Sequence, residues 1–224
     1  MLSIVSTPIG NLGDITKRAQ QALMDCTAIV CEDTRVTGKL LSLLGFPKKE
    51  LLSFHSYTGR KKVHDFIERL KHGEHLVLVS DAGTPGISDP GYALVSGARD
   101  AGIRIEVIPG PSAFLAALSI SGLPINEFVY LGFLPLKKNR RSMLESLRNE
   151  HRTVVFYESP HRIARTLREL TTVLSDQPMR MLVICRELTK MHEEIIGTNI
   201  GSVVQDELPT LTIKGEFCIV LGPL

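Results

Sequence analysis

Short, unbroken aliphatic runs alternate along the chain with stretches in which apolar side chains recur every three or four positions. Residues 2–6, 28–31, 51–54, 76–80 and 104–108 are rich in Val, Ile and Leu and bounded by turn residues. Too short for helices and lacking a 3.6-residue period, they predict buried strands. The amphipathic stretches 16–26, 34–44, 61–71 and 90–101 predict helices, with Gly45 and Gly102 placed where helices stop. Strand, helix and strand in repetition give βαβ units and a mainly parallel sheet.

Pro109-Gly110-Pro111-Ser112 punctuates this first block, Ser112 is placed to cap a helix running to Leu118, and Gly122-Leu123-Pro124 breaks the chain again. Beyond it the alternation is expected to repeat, with strands at 128–131, 153–157, 179–185, 193–196 and 216–221 and helices at 140–149, 159–174 and 199–207. The expected architecture is α/β, with two lobes, residues 1–115 and 116–224, and a cleft between them as the default site.

Composition narrows the class. With 224 residues, 43% of them hydrophobic and 22% charged, the chain is neither a disordered tail, a collagen-like fibre nor a coiled coil. Aromatics make up 5% with no Trp, so aliphatic side chains must do most of the burying. Net charge is +2 and the pI about 8.4, below the roughly 9 of a domain with a basic footprint, so local patches must reveal any nucleic-acid partner. Cys26, Cys31, Cys185 and Cys218 form no C-x-x-C and no familiar zinc spacing, and read as buried free thiols. The first residues lack a signal-peptide pattern, and no apolar run approaches the roughly 20 residues that span a bilayer. The expectation is a cytoplasmic protein with no membrane association.

Candidate chemistry gathers in three loops that follow strands. Ser80-Asp81-Ala82-Gly83-Thr84-Pro85-Gly86-Ile87-Ser88-Asp89-Pro90-Gly91 leaves an apolar strand at the end where open α/β sheets bind ligands. Its glycines admit close backbone approach, and Asp81 and Asp89 offer carboxylates to hydroxyl, amine or cationic groups. Thr7-Pro8-Ile9-Gly10-Asn11-Leu12-Gly13-Asp14 follows the first strand; it matches neither G-x-G-x-x-G nor a P-loop, which leaves a dinucleotide enzyme or an NTPase without support. Pro109-Gly110-Pro111-Ser112-Ala113 opens a helix whose first amides can receive a carboxylate or carbonyl.

These loops, together with Glu32-Asp33-Thr34-Arg35, Gly132-Phe133-Leu134-Pro135, Phe156-Tyr157-Glu158-Ser159-Pro160-His161-Arg162 and Arg186-Glu187-Leu188-Thr189-Lys190, carry a resemblance. The chain resembles the ribosomal RNA small-subunit methyltransferase I family, the 2′-O-ribose branch of the tetrapyrrole methylase superfamily, and the motifs run in order over nearly its whole length. It departs from the family at His55-Ser56-Tyr57-Thr58-Gly59, where members read near His-x-His-Asn-Glu, and members often carry a further small C-terminal region.

The resemblance implies S-adenosylmethionine as methyl donor, held in the interlobe cleft. It also implies a homodimer, and as substrate the ribose 2′-hydroxyl of a decoding-centre cytidine in 16S rRNA of the 30S subunit. By family position Pro8, Gly10, Asp81, Ala82, Gly83, Thr84, Ile87, Ser112 and Ala113 would contact the cofactor, and Phe133, Leu134, Tyr157, Leu188 and Gly215 would close over it. No metal is implied.

Methyl transfer to a hydroxyl needs an acceptor for its proton. Glu158 is the first candidate, with Asp33, Glu187 and Lys190 behind it; the alternatives are structural pairs of Glu158 with Arg162, of Asp33 with Arg35 and of Arg186 with Glu187. Lys137, Lys138, Arg140 and Arg141, with Arg60, Lys61, Lys62 and Arg162, are the candidate phosphate contacts, against the alternative of a solvated face. Competing functions on the same fold are a precorrin-type tetrapyrrole methyltransferase and a non-enzymatic RNA-binding protein.

Overall fold

The computed structural model describes residues 1–55, 59–208 and 210–224. The loop 56–58, where the chain departs from the family pattern, lies outside them. The chain divides into two compact units, Met1–Ser112 and Ala113–Leu224, three residues before the boundary expected from the sequence.

In the first unit the strands are β1 (Leu2–Val5), β2 (Ala28–Cys31), β3 (Glu50–Ser53), β4 (Leu76–Leu78) and β5 (Ile105–Ile108). The helices between them are α1 (Lys17–Asp25), α2 (Thr34–Leu43), α3 (Arg60–Lys71) and α4 (Tyr92–Asp100). The sheet is parallel throughout, in the order β3-β2-β4-β1-β5. Consecutive strand residues serve opposite faces. Val5, Ile29, Cys31, Val77 and Val79 pack with Ala19, Leu23 and Leu41 of α1 and α2, while Ala28, Val30, Leu76 and Leu78 pack with Phe66, Leu70, Leu94 and Ala98 of α3 and α4. With helices on both faces the central strands β2 and β4 are buried at every position, which is why they read as unbroken aliphatic runs, while the edge strands β3 and β5 carry the exposed Glu50 and Val107. Full burial contributes about 1.5–3 kcal/mol for each Val, Leu, Ile or Phe.

Local chemistry sets the helix starts. Thr16 accepts the Ala19 N–H at 3.0 Å to open α1, and Asp33 accepts the Arg35 N–H at 2.8 Å to open α2.

The second unit holds α5 (Ala113–Ile120), β6 (Phe128–Phe133), α6 (Arg140–Ser146), β7 (Thr153–Glu158), α7 (Ile163–Val173), β8 (Met181–Arg186), β9 (Glu194–Asn199) and β10 (Phe217–Leu221). Its sheet runs β6-β7-β10-β8-β9 and is mixed: only β6 and β7 are parallel. The repeated βαβ alternation expected here is therefore corrected. β8 and β9 form an antiparallel pair registered from Met181↔Asn199 to Arg186↔Glu194. Ladder pairing claims Asn199, so the helix expected over 199–207 shrinks to a π-helical turn, Val203–Glu207. The core is built around Phe156, Leu167, Leu170, Ile184 and Ile219, all fully buried. All four cysteines are buried and free. Among the described residues no helix is long and apolar enough to cross a membrane.

Candidate functional site

In the first unit β1 and β4 are neighbours whose connections run opposite ways, α1 leading to β2 on one side and α4 to β5 on the other. The carboxyl ends of such a strand pair are where open α/β sheets take ligands. Thr7 and Gly83 form an isolated antiparallel bridge there, with N–H to O distances of 2.9 and 3.1 Å. Thr7 Oγ1 donates to the Ser80 carbonyl at 3.2 Å, Ser6 Oγ and Thr84 Oγ1 share a hydrogen bond at 2.9 Å, and Thr84 Oγ1 donates to the Pro111 carbonyl at 3.2 Å. The three glycine- and proline-rich loops are thus tied into one rim.

Gly83 has φ +81°, and a Cβ on it would lie 3.4 Å from Ile9 Cγ2 and 3.7 Å from the Pro111 carbonyl oxygen. Those are ordinary van der Waals distances, so it is the positive φ, which L side chains rarely adopt, that calls for glycine there. Around this point Pro8, Asp81, Thr84 and Ser112 are half-buried, while Gly10, Ala82 and Ile87 are exposed. Ala113, also half-buried, opens the second unit.

The rim is acidic. Asp81 Oδ1 accepts the Asp33 N–H at 3.0 Å and so joins the loop after β4 to the loop after β2. Asp33 itself is gripped by Arg35, whose hydrogen bonds at 2.6–3.2 Å hold its carboxyl down to about 2. This is the structural pair weighed above, and a carboxylate held so low is a weak proton acceptor. Burial, and then the charges of Glu32 and Asp81, push the Asp89 carboxyl up to about 6 against a hydrogen bond from Ser80 that favours ionisation. Glu32 is raised as well, first by burial and then by Asp81, with His55 acting against. Between its ordinary 3.8 and about 6, Asp89 binds its proton more tightly folded than unfolded. Stability therefore falls as pH rises through that window, and the loss is complete above it. Asp89→Asn is expected to remove this slope, leaving that of Glu32, in urea titrations run from pH 4 to 7; an unchanged slope would assign the effect elsewhere.

In the second unit the structure corrects several expectations. Glu158 ends β7 with its side chain fully buried, not facing solvent. Oε1 accepts the Ser159 N–H at 2.8 Å and meets Arg162 Nη2 at 2.7 Å. Oε2 accepts Thr166 Oγ1 at 2.7 Å and faces Arg140 Nη1 at 3.6 Å. A carboxylate with both oxygens engaged and no exposed surface cannot take a proton from a substrate hydroxyl, so Glu158 is a structural hub rather than the acceptor.

Arg140 and Arg162 are corrected with it. Arg140, 4% exposed in its side chain, also binds Glu169, Thr166 Oγ1 and the Pro135 carbonyl; Arg162, 18% exposed, binds the Leu134 carbonyl at 2.9 Å. Neither presents its charge to a phosphate. Leu134 is 2% exposed and its side chain belongs to the core, so it does not line a ligand site.

Lys190 donates to Glu187 and Glu216, both at 2.9 Å. Burial alone would lower its pKa, but those two carboxylates together raise it, and a firmly protonated amine accepts no proton. Glu187 is spent on Lys190 and on the Glu216 N–H, while Arg186 reaches Glu194 and the carbonyls of Lys214 and His192 instead of Glu187. At Gly215, φ +84°, a Cβ would lie 2.5 Å from the Glu187 side chain, which fixes glycine there and packs the segment against Leu188's loop.

The sequence reading missed an aromatic cluster. Phe114 stacks on Tyr130 with centroids 4.4 Å apart, Tyr130 meets Tyr157 edge-on at 5.6 Å, and Phe133 lies 5.4 Å from Tyr157, whose hydroxyl accepts the Phe114 N–H at 3.1 Å. Burial raises the Tyr157 phenol. The period-2 spacing of Phe128 and Tyr130 was the available signal. Phe133 is 55% exposed, and Lys137, Lys138 and Arg141 beyond it are exposed, as are Arg60 and Lys61 at the start of α3, with Lys62 half-buried. Among the described residues no group of His, Cys, Asp and Glu is arranged to hold a metal.

Comparison with known proteins gives a consistent result. The family model of tetrapyrrole (corrin/porphyrin) methylases matches residues 1–204. Proteins named ribosomal RNA small subunit methyltransferase I are similar over almost the whole chain. The Xylella fastidiosa protein (strain Temecula1) is 48% identical, covering 98% of this chain and 80% of its own; that of Thermotoga maritima is 44% identical, covering 99% and 97%. Among solved structures, the methyltransferase CobJ superposes with a TM-score of 0.71 at 20% identity, covering 99% of this chain and 93% of its own. Uroporphyrin-III C-methyl transferase from Thermus thermophilus complexed with S-adenyl homocysteine gives 0.66 at 17%, covering 99% and 96%. At those identities the structures speak for the fold, and the sequence relatives for the branch. On both grounds the chain belongs to the tetrapyrrole methylase family, within its ribosomal RNA small-subunit methyltransferase I branch.

Proposed function

We propose that this protein transfers a methyl group from S-adenosylmethionine to small-subunit ribosomal RNA, at the ribose 2′-hydroxyl of a decoding-centre cytidine. The observation that carries the reading is the 43–48% identity, over nearly the whole chain, to proteins named for methylation of that RNA.

The rim at the ends of β1 and β4 suits the donor. Gly83 supplies the turn at φ +81° that shapes the rim, the Asp81 carboxylate complements a cationic amine or a ribose hydroxyl, and Ile87 offers an apolar contact to adenine. Pro8, Gly10, Ala82, Thr84 and Ser112 complete the first unit's contribution. From the second unit Ala113, Phe133, Tyr157, Leu188 and Gly215 remain in the proposal, and Leu134 drops out because its side chain is core. When bound, S-adenosylmethionine supplies a methyl group on a positively charged sulfur.

Transfer would exchange the methyl carbon's bond to sulfur for one to the ribose oxygen, leaving a neutral thioether, and would pass the hydroxyl proton to solvent water. Of the four acceptor candidates, Glu158, Glu187 and Lys190 are tied up, and Asp33 is a weak base at about 2. Holding the hydroxyl in line with the methyl group therefore carries the rate, rather than strong proton abstraction. Exposed Arg60, Lys61, Lys137, Lys138 and Arg141, with Lys62, are the proposed phosphate contacts and make binding salt-dependent. The homodimer and the 30S context belong to the same proposal. Leu115 and Ile120, exposed on α5, offer apolar surface for a second copy.

The test uses labelled donor and 30S subunits that have not received this modification. Label recovered as 2′-O-methylcytidine after nuclease digestion supports the reading; label on a base atom, or only on a precorrin supplied instead, overturns it.

A further inference from the structure

We propose that Arg162, with Arg140 and the Glu158 carboxylate between them, is a positioning device for RNA: it fixes the segment 134–138 in the conformation that receives the rRNA strand. The proposal rests on the rRNA reading above and gives these three residues a part in it that touches neither donor nor hydroxyl.

The segment joins β6 to α6 and belongs to neither. It presents Leu136, 70% exposed, followed by the exposed Lys137 and Lys138. An exposed apolar side chain beside two cations is chemistry that lies against a nucleotide and neutralises its phosphates. Such a loop binds well only when its shape is set beforehand, because ordering it on contact costs affinity.

What sets the shape lies underneath. Arg162 Nη1 donates to the Leu134 carbonyl at 2.9 Å and Arg140 Nη1 to the Pro135 carbonyl at 3.2 Å, so two consecutive carbonyls of the segment are held by guanidinium groups. Each guanidinium is fixed in turn. Arg162 Nη2 reaches Glu158 at 2.7 Å and its Nε reaches Ser159 Oγ at 3.3 Å, while Arg140 reaches Thr166 Oγ1 and Glu169 at 2.7 Å each and Glu158 at 3.6 Å. Buried ion networks are a poor route to stability alone, since well-packed apolar residues do as well. They do fix geometry, and a planar fork grips a carboxylate with one nitrogen and a carbonyl with another. Lysine at position 162 keeps the charge beside Glu158 and loses the fork.

Arg162→Lys is therefore the decisive variant. Trypsin cleavage after Lys137 and Lys138 is expected to accelerate, and the KM for unmodified 30S subunits to rise about tenfold, the worth of one charge-assisted hydrogen bond. The KM for S-adenosylmethionine and the melting midpoint should hold. Unchanged cleavage together with an unchanged KM for 30S subunits overturns the proposal. So does an equal rise in both KM values with a fallen midpoint, which would mark a merely structural role. If the wild-type chain methylates no rRNA, it is the functional reading that fails, and the cleavage rates still decide whether the network holds the segment.

Discussion

Glu158→Gln is expected to destabilise the second unit by about 3–5 kcal/mol, the cost of removing one partner from a buried ion pair. The side chains of Glu158 and Arg140 are 0% and 4% exposed, and that of Arg162 is 18%. The neutral amide can still accept from Thr166 Oγ1, but it cannot balance two guanidinium charges. Glu169 compensates only Arg140, at 2.7 Å, and Arg162 is left against neutral oxygens in a region that water barely reaches. Equilibrium unfolding in urea reads the loss directly. A catalytic carboxylate would behave in the opposite way, since its amide variant keeps its stability and loses turnover. An unchanged unfolding midpoint with reduced methyl transfer would therefore restore Glu158 as the proton acceptor.

The second large effect is expected at Gly83. Gly83→Val should weaken S-adenosylmethionine binding by at least about a hundredfold, some 2.7 kcal/mol on the affinity scale. A β-branched residue at φ +81° is strained wherever it stands, and here its Cβ would already stand in van der Waals contact with Ile9 Cγ2 and the Pro111 carbonyl, so that its two methyl groups must seek room beside them. Relief would have to come from shifting the Thr7 bridge or the loop after β5, the two walls of the proposed donor site. Titration calorimetry measures the affinity, and Gly45→Val is the control. Gly45 has a similar φ of +71° with nothing within 4 Å of a Cβ, so that variant should lose stability while keeping its affinity. Equal affinity loss in both variants would mean that backbone strain alone, rather than the shape of the rim, had been measured.

Much of the architecture was legible because its causes are local. An aliphatic run such as Ala28–Cys31 is a strand buried on both faces whatever lies next to it, and Thr16 or Asp33 caps a helix with its own side chain. The three rim loops were legible for the same reason, since glycine and proline state their backbone needs in place. The helix expected over 199–207 starts only at Val203 because a partner strand claims Asn199, and pairing is not written in the segment that pairs.

The chemistry of single residues divided along the same line. Periodicity and composition determined the α/β class and the strand-end loops, and the resemblance of the motifs pointed to the family. Only the tertiary structure decided whether Glu158 faced water or two arginines, because Arg140 and Thr166 reach it from outside its own turn. It likewise decided that Arg140 binds Glu169 and Pro135 rather than a phosphate, and that five scattered aromatics form one cluster. A carboxylate is a base, a cap or a buried hub according to what surrounds it in space. The sequence names the group, and the packing of distant residues around it sets its solvation and its partners.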